Sequence, residues 1–142
     1  MISSAISAHL ITHYTDAHYR IGTLAEPITL RIDQYSAPLA RFLATSHQSY
    51  AAIISAYNPY SELLSDEENV AAHESLRNSL MHHATPVIES LNIDPAGVWP
   101  AEKSFFIPGI DLNTAKSLGQ QFNQNAIVWI DRDAIPRLIL LC

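Results

Sequence analysis

The stretch that decides the fold is AAIISAYNPYSELLSDEEN, residues 51–69. Its first six residues, AAIISA, are small or apolar throughout. A run this short and this unrelieved reads as a central strand covered on both faces. Ser65-Asp66-Glu67-Glu68 then matches the capping box, a serine cap with a glutamate three positions on. It predicts a helix over 66–84. Asp66, Glu67 and Glu68 fall in the first turn, where the helix dipole favours negative charge, so the acidic cluster is explained without a ligand. Strand and helix are joined through Tyr57-Asn58-Pro59-Tyr60-Ser61. Asn58-Pro59 is a turn-forming pair, and a residue before proline is expected to be extended.

Asn69 is the anomaly. Helical spacing places it on the stripe of Ala72, His73, Leu76 and Leu80, the side that packs inward. A buried amide left unpaired costs about 1–3 kcal/mol, so it needs partners, and Asn58 and Ser61 are the nearest in sequence. Two readings follow. The polar groups form an internal network that fixes the turn, or they line a cleft at the carboxyl end of a central strand, where open α/β sheets bind ligands. Charge narrows the second reading. Three first-turn carboxylates and Glu62 outweigh a dipole of about half a charge, so phosphate is repelled and a neutral amide, a hydroxyl or a cation fits better.

Outward from this stretch, residues 3–17 read as a helix with Ile6, Leu10, His13 and Ala17 on one stripe. Tyr19 to Ile21 reads as a short strand. Ile28, Leu30 and Ile32 alternate with Thr29 and Arg31, the pattern of a strand with one exposed face near an edge. Ser36 to Ala44 fits a helix with a serine cap and a proline in its first turn. Residues 87–91 and 104–107 read as hairpin strands joined by the long connection NIDPAGVWPAEK. Asp111 or Asn113 caps a helix to about Phe122, burying Ala115, Leu118 and Phe122. AIVWI, residues 126–130, is a second buried strand, and LILL closes antiparallel to it. The expected fold is α/β, with α+β as the alternative: one domain over 1–142, a mixed sheet of about five to seven strands and about four helices.

The 142 residues are enough for one core, and 48% hydrophobic with 15% charged residues excludes general disorder. Net charge is −6, and the eight basic residues are scattered, which argues against a nucleic-acid face. The one cysteine, Cys142, allows neither an internal disulfide nor a thiolate metal site. No basic residue precedes Arg20, so no signal-peptide n-region is expected. No apolar run nears the roughly 18 residues that span a bilayer. A soluble cytoplasmic protein is expected, with no membrane partner.

Taken in order, the motifs resemble a known family. Tyr57-Asn58-Pro59 follows an apolar strand, then come Glu68-Asn69, Trp99-x-x-Glu102-x-Ser104-Phe105, and Gln124-Asn125-Ala126 entering a strand. Tyr14-x-x-x-x-Tyr19 near the start is similar to the family's opening pattern. This order resembles a small bacterial family of uncharacterised proteins, domain of unknown function 3293, over nearly the whole chain. Lys103 departs from the acidic residue or proline expected there, which weakens any role for a carboxylate at that position. The resemblance implies one bacterial domain and carries no catalytic assignment. It suggests that Asn58, Asn69, Glu102, Gln124 and Asn125 belong together, with Tyr57, Trp99 and Ser104 as walls. The bland alternative is that each amide satisfies backbone groups at a separate turn.

Other chemistry finds little support. His9 and His13 share a helix face at i, i+4, but the intervening Leu-Ile-Thr lacks the glutamate of HExxH and no third ligand is evident, so no metal is expected. His82-His83 ends a helix, where imidazole suits the dipole. His73 reads as a hydrogen-bonded core histidine. There is no GxSxG, and Cys142 has no positioned base. Asp94, the acid nearest Glu102, belongs to the turn Asp94-Pro95-x-Gly97.

Two function classes remain. One is a domain that binds or acts on a small polar molecule in a cleft of Tyr57, Asn58, Ser61, Asn69, Trp99, Glu102, Ser104, Gln124 and Asn125, without a cofactor. Glu102 is then the only acid/base candidate, and Tyr57 or Trp99 stacks on the ligand. The other is a non-catalytic interaction module whose acidic face, residues 62–68, meets a basic partner protein.

Overall fold

The computed structural model describes residues 6–22, 27–83 and 86–141. Among the described residues, four α-helices and seven strands follow in the order α1 (Ala8–Asp16), β1 (His18–Ile21), β2 (Ile28–Leu30), α2 (Ala37–Thr45), β3 (Ala51–Ile54), α3 (Asp66–Leu80), β4 (Ile88–Ile93), β5 (Glu102–Pro108), α4 (Leu112–Gln121), β6 (Ala126–Ile130) and β7 (Pro136–Leu140). The strands form one sheet in the order β2-β1-β4-β5-β3-β6-β7.

The expected α/β domain of about five to seven strands and about four helices is present, with seven and four among the described residues, but the sheet is not mixed: every pairing is antiparallel. The cause lies in two interlocked crossovers. β3–α3–β4 is a strand–helix–strand unit whose strands run the same way, yet β5 lies between them. β5–α4–β6 is another, with β3 in its gap. Each unit is split by the other's strand, so parallel strands never touch.

The period of two sorts the side chains onto two faces. Ile21, Leu30, Ile53, Phe106 and Val128 pack under α2 through Leu39 and Leu43. Ile54, Phe105, Ile107 and Ile127 pack under Leu76 and Leu80 of α3 and Ala115 and Leu118 of α4. β3 is buried on both sides, as its unrelieved apolar run requires.

Boundaries differ in places. The first helix starts at Ala8 with Ser7 as its cap, so Ser7 and Ile6 precede it, and residues 3–5 of the expected helix lie outside those described. α3 keeps its full capping box at Ser65 and Glu68 but ends at Leu80, leaving His82 and His83 beyond it. The final strand begins at Pro136 and shortens the turn before it. β4 and β5 claim both ends of the long connection, leaving residues 94–101. Asn58 is not extended: its φ of 46° and ψ of 65° are left-handed. Asparagine tolerates this conformation better than most residues, and here its side chain is held on three sides. Tyr60 and Ser61 are left-handed too, at φ 53° and 61°.

Candidate functional site

The registers place Tyr19 beside Asn92 and Asn92 beside Glu102, with Ser90 beside Ser104. All point to the α2 face, at the end of the sheet that α2 leaves uncovered. There the apolar layer gives way to a polar one. α1 supplies His13 and Tyr14, and the β4–β5 connection supplies Trp99 over the top. The result is a cavity of about 50 Å³ lined by residues that include His13, Tyr14, Tyr19, Ser55, Asn92, Asp94, Trp99, Glu102 and Gln124.

Glu102 is the centre of its polar wall. Its Oε2 accepts hydrogen bonds from Asn58 Nδ2 at 2.6 Å and from Trp99 Nε1 at 3.1 Å. Both protein donors converge on one oxygen, and no described residue hydrogen-bonds Oε1. Burial raises the Glu102 pKa above the usual carboxylate range, and the two donors and the His13 charge only partly offset it. A carboxyl so placed exchanges its proton closer to neutrality than a surface glutamate does.

Asn58 and Asn69 stand behind this carboxylate. Asn69 Oδ1 accepts from the Asn58 backbone N–H, and Asn69 Nδ2 donates to Asn58 Oδ1, both at 2.9 Å. Asn58 Oδ1 also accepts from Leu64 N at 3.0 Å. Both asparagines are 4% exposed. They orient Glu102 from behind and do not line the cavity.

The other expected residues divide. Trp99 and Gln124 line the cavity, and Gln124 Nε2 donates to the backbone carbonyls of Tyr57 and Phe122. Ser104 lies under the floor, bonded to Ser90 and Asn92 at 2.7 Å each. Ser61 and Asn125 sit behind Tyr14: Asn125 Nδ2 donates to Tyr14 OH and to Ser61 Oγ, and those two hydroxyls hydrogen-bond each other. Tyr57 turns to the opposite face, where its ring meets His73 edge-on at 6.0 Å. His73 is the core histidine expected, stacked on Phe105 at 4.1 Å with Nε2 on Glu89.

His13, Tyr14, Tyr19, Ser55, Asn92 and Asp94 line the cavity and are not among the residues expected at the site. Tyr14 and Tyr19 were visible only as the spacing of the opening pattern. Asp94 was read correctly as a turn residue: it accepts from the backbone N–H groups of Ala96, Val98 and Trp99, and these bonds, that of Trp99 foremost, hold its carboxyl below the usual range. That turn is what poises Trp99 over the cavity. Among the described residues no group of three or more His, Cys, Asp or Glu is arranged to hold a metal ion, and no helix is long and apolar enough to cross a membrane.

No curated protein matches the chain, and no solved structure does. Residues 54–127 match the family model described as a protein of unknown function, DUF3293. That segment starts at the last residue of β3 and holds the asparagine pair, Trp99, Glu102 and Gln124, and it spans just over half of the 142 residues. The chain belongs to the DUF3293 family.

Proposed function

We propose that this protein binds a small polar molecule in the cavity of Glu102, and that the Glu102 carboxyl exchanges a hydrogen bond or a proton with it. The observation that carries the reading is the arrangement of that carboxyl. It is held by Asn58 and Trp99 on one oxygen, raised in pKa by burial, and its other oxygen accepts from no described residue. Asn58 and Asn69 act as positioning residues, and Tyr14, Tyr19, Asn92 and Gln124 supply the polar walls. The family resemblance and the composition support a bacterial, cytoplasmic setting.

A thermal-shift screen tests this with wild type, Glu102→Gln and Asn69→Ala against nucleosides, amino acids, amides and polyamines. The expected outcome is a compound that raises the wild-type melting temperature by several degrees and leaves Glu102→Gln unmoved. A screen in which no compound distinguishes the two proteins overturns the reading.

One observation favours the second reading, an interface for a basic protein. Leu63 and Tyr60 are 62% and 54% exposed beside Glu62, Asp66 and Glu67. Under that reading Leu63→Asp abolishes partner capture and leaves Glu102-dependent responses intact.

A further inference from the structure

A second hollow lies against the first. It has a volume of about 320 Å³ and runs between α1 and the β4–β5 connection, lined by His9, Leu10, Thr12, His13, Asp16, Asp94, Ala96, Val98 and Trp99. His13, Asp94 and Trp99 line both hollows. The His13 and Trp99 rings meet edge to face at 5.5 Å and form the partition. The outer hollow carries apolar groups: Leu10, the Val98 side chain and the flank of the Trp99 ring. The inner one has room for only a few water-sized groups and is walled by hydroxyls, amides and Glu102 together with apolar groups that include Ile53, Val128 and Leu138.

The lining carries three carboxylates and, in His9 and His13, two imidazoles. Asp16, Asp94 and Glu102 line the two hollows, and no lysine or arginine lines either. The indole face of Trp99 adds a surface that attracts cations. The carboxylates outnumber the imidazoles, which disfavours an anionic ligand.

We infer that the two hollows form one site whose ligand is an organic amine with an aliphatic body, the body in the outer hollow and the ammonium group turned inward toward Glu102. This rests on the reading of the Glu102 cavity as a ligand site and adds to it the class of ligand and the second compartment. The inner hollow is too small for more than a head group, and the outer one is large enough for several carbons. The ammonium supplies donors to the Glu102 oxygen that accepts from no described residue, and its charge favours the ionised carboxylate that burial disfavours. The aliphatic body covers Leu10 and Val98.

The test uses straight-chain primary amines from methylamine to hexylamine, with the corresponding alcohols as neutral comparators. The readout is the indole N–H resonances of the protein in a nitrogen–proton correlation spectrum. Trp99 donates its indole N–H to Glu102, whereas Trp129 stacks on Tyr50 in another part of the sheet and serves as the internal control. The expected result is that amines move the Trp99 resonance and leave that of Trp129 in place. Affinity is expected to rise about fourfold per added methylene. Glu102→Gln should reduce amines to the level of the alcohols. Leu10→Asn should flatten the dependence on chain length, and the exposed Val98→Asp serves the same purpose if Leu10→Asn does not fold.

Amines that bind no better than alcohols overturn the ligand class. If those alcohols still need Glu102, the reading of the inner cavity survives that failure. A wild-type affinity that does not depend on chain length overturns the joined compartments. If no probe moves Trp99, this inference falls, while the Glu102 reading falls only if the broader screen also finds nothing.

Discussion

Asn69 places an amide on the inward stripe of a helix, and the cost of burying it is met by Asn58 alone. Two hydrogen bonds join them, and one satisfies the backbone N–H of a left-handed residue. Asn69→Ala leaves that N–H buried and without an acceptor, so urea unfolding should show a loss of about 2 kcal/mol. Glu102 gives a second prediction, with a definite sign. Its folded pKa lies above the ordinary glutamate value of 4.5. The folded protein therefore holds this proton to a higher pH than the unfolded chain does. The stabilisation is complete below about 4.5 and is lost as pH rises through the folded value. Glu102→Gln cannot lose a proton, so wild type should weaken relative to it as pH rises above 4.5 in matched urea titrations. His73 and Glu89 also titrate, but they do so in both proteins and cancel in the difference.

Helices 3 and 4 are set by different physics. α3 is built at its start, where Ser65 accepts from the Glu68 N–H and the Glu68 carboxylate reaches back to the cap. Ser65→Ala should cost about 1 kcal/mol and leave the cavity untouched. α4 is set by close approach. A methyl group on Gly119 would sit 2.5 Å from Leu141 Cδ1 and 2.8 Å from Ile127 Cγ2. Alanine is the better helix former by about 1 kcal/mol, but overpacking against a buried strand costs about 1–3 kcal/mol. Gly119→Ala should therefore lower the melting temperature, and the reverse result would mean that the helix can lift from the sheet.

β5 ties the molecule together, because it is the inserted strand of one crossover and the first strand of the other. Phe105 and Phe106 point to opposite faces and are both fully buried. Phe105→Ala and Phe106→Ala should each cost about 3–5 kcal/mol. Since both faces share this strand, unfolding of either variant should remain one transition, with fluorescence and circular dichroism coincident. Two separated transitions would show that the α2 face and the α3/α4 face fold independently.

Much of this was legible in the chain because it is local. The capping box, the period of two in ITLRI, the unrelieved run of β3, and AIVWI each depend on neighbours a few residues apart. So did the need for Asn69 to find Asn58, eleven positions away. Strand order was not legible. A strand–helix–strand pattern is the same in sequence whether the gap between its strands is closed or filled, and only packing shows that β3 and β5 fill each other's gaps. The site followed the same division. Glu102, Trp99 and Gln124 stood out as polar or aromatic groups at strand ends, but which of nine residues face a cavity depends on the registers that pair Tyr19 with Asn92 and Asn92 with Glu102. Those pairings bring His13, Tyr14 and Tyr19 to Glu102 from more than eighty positions away. Short-range patterning determines which segments are helices and strands and which faces they bury. The pairing of distant strands decides which polar side chains meet, since that is fixed by cooperative packing of the whole sheet.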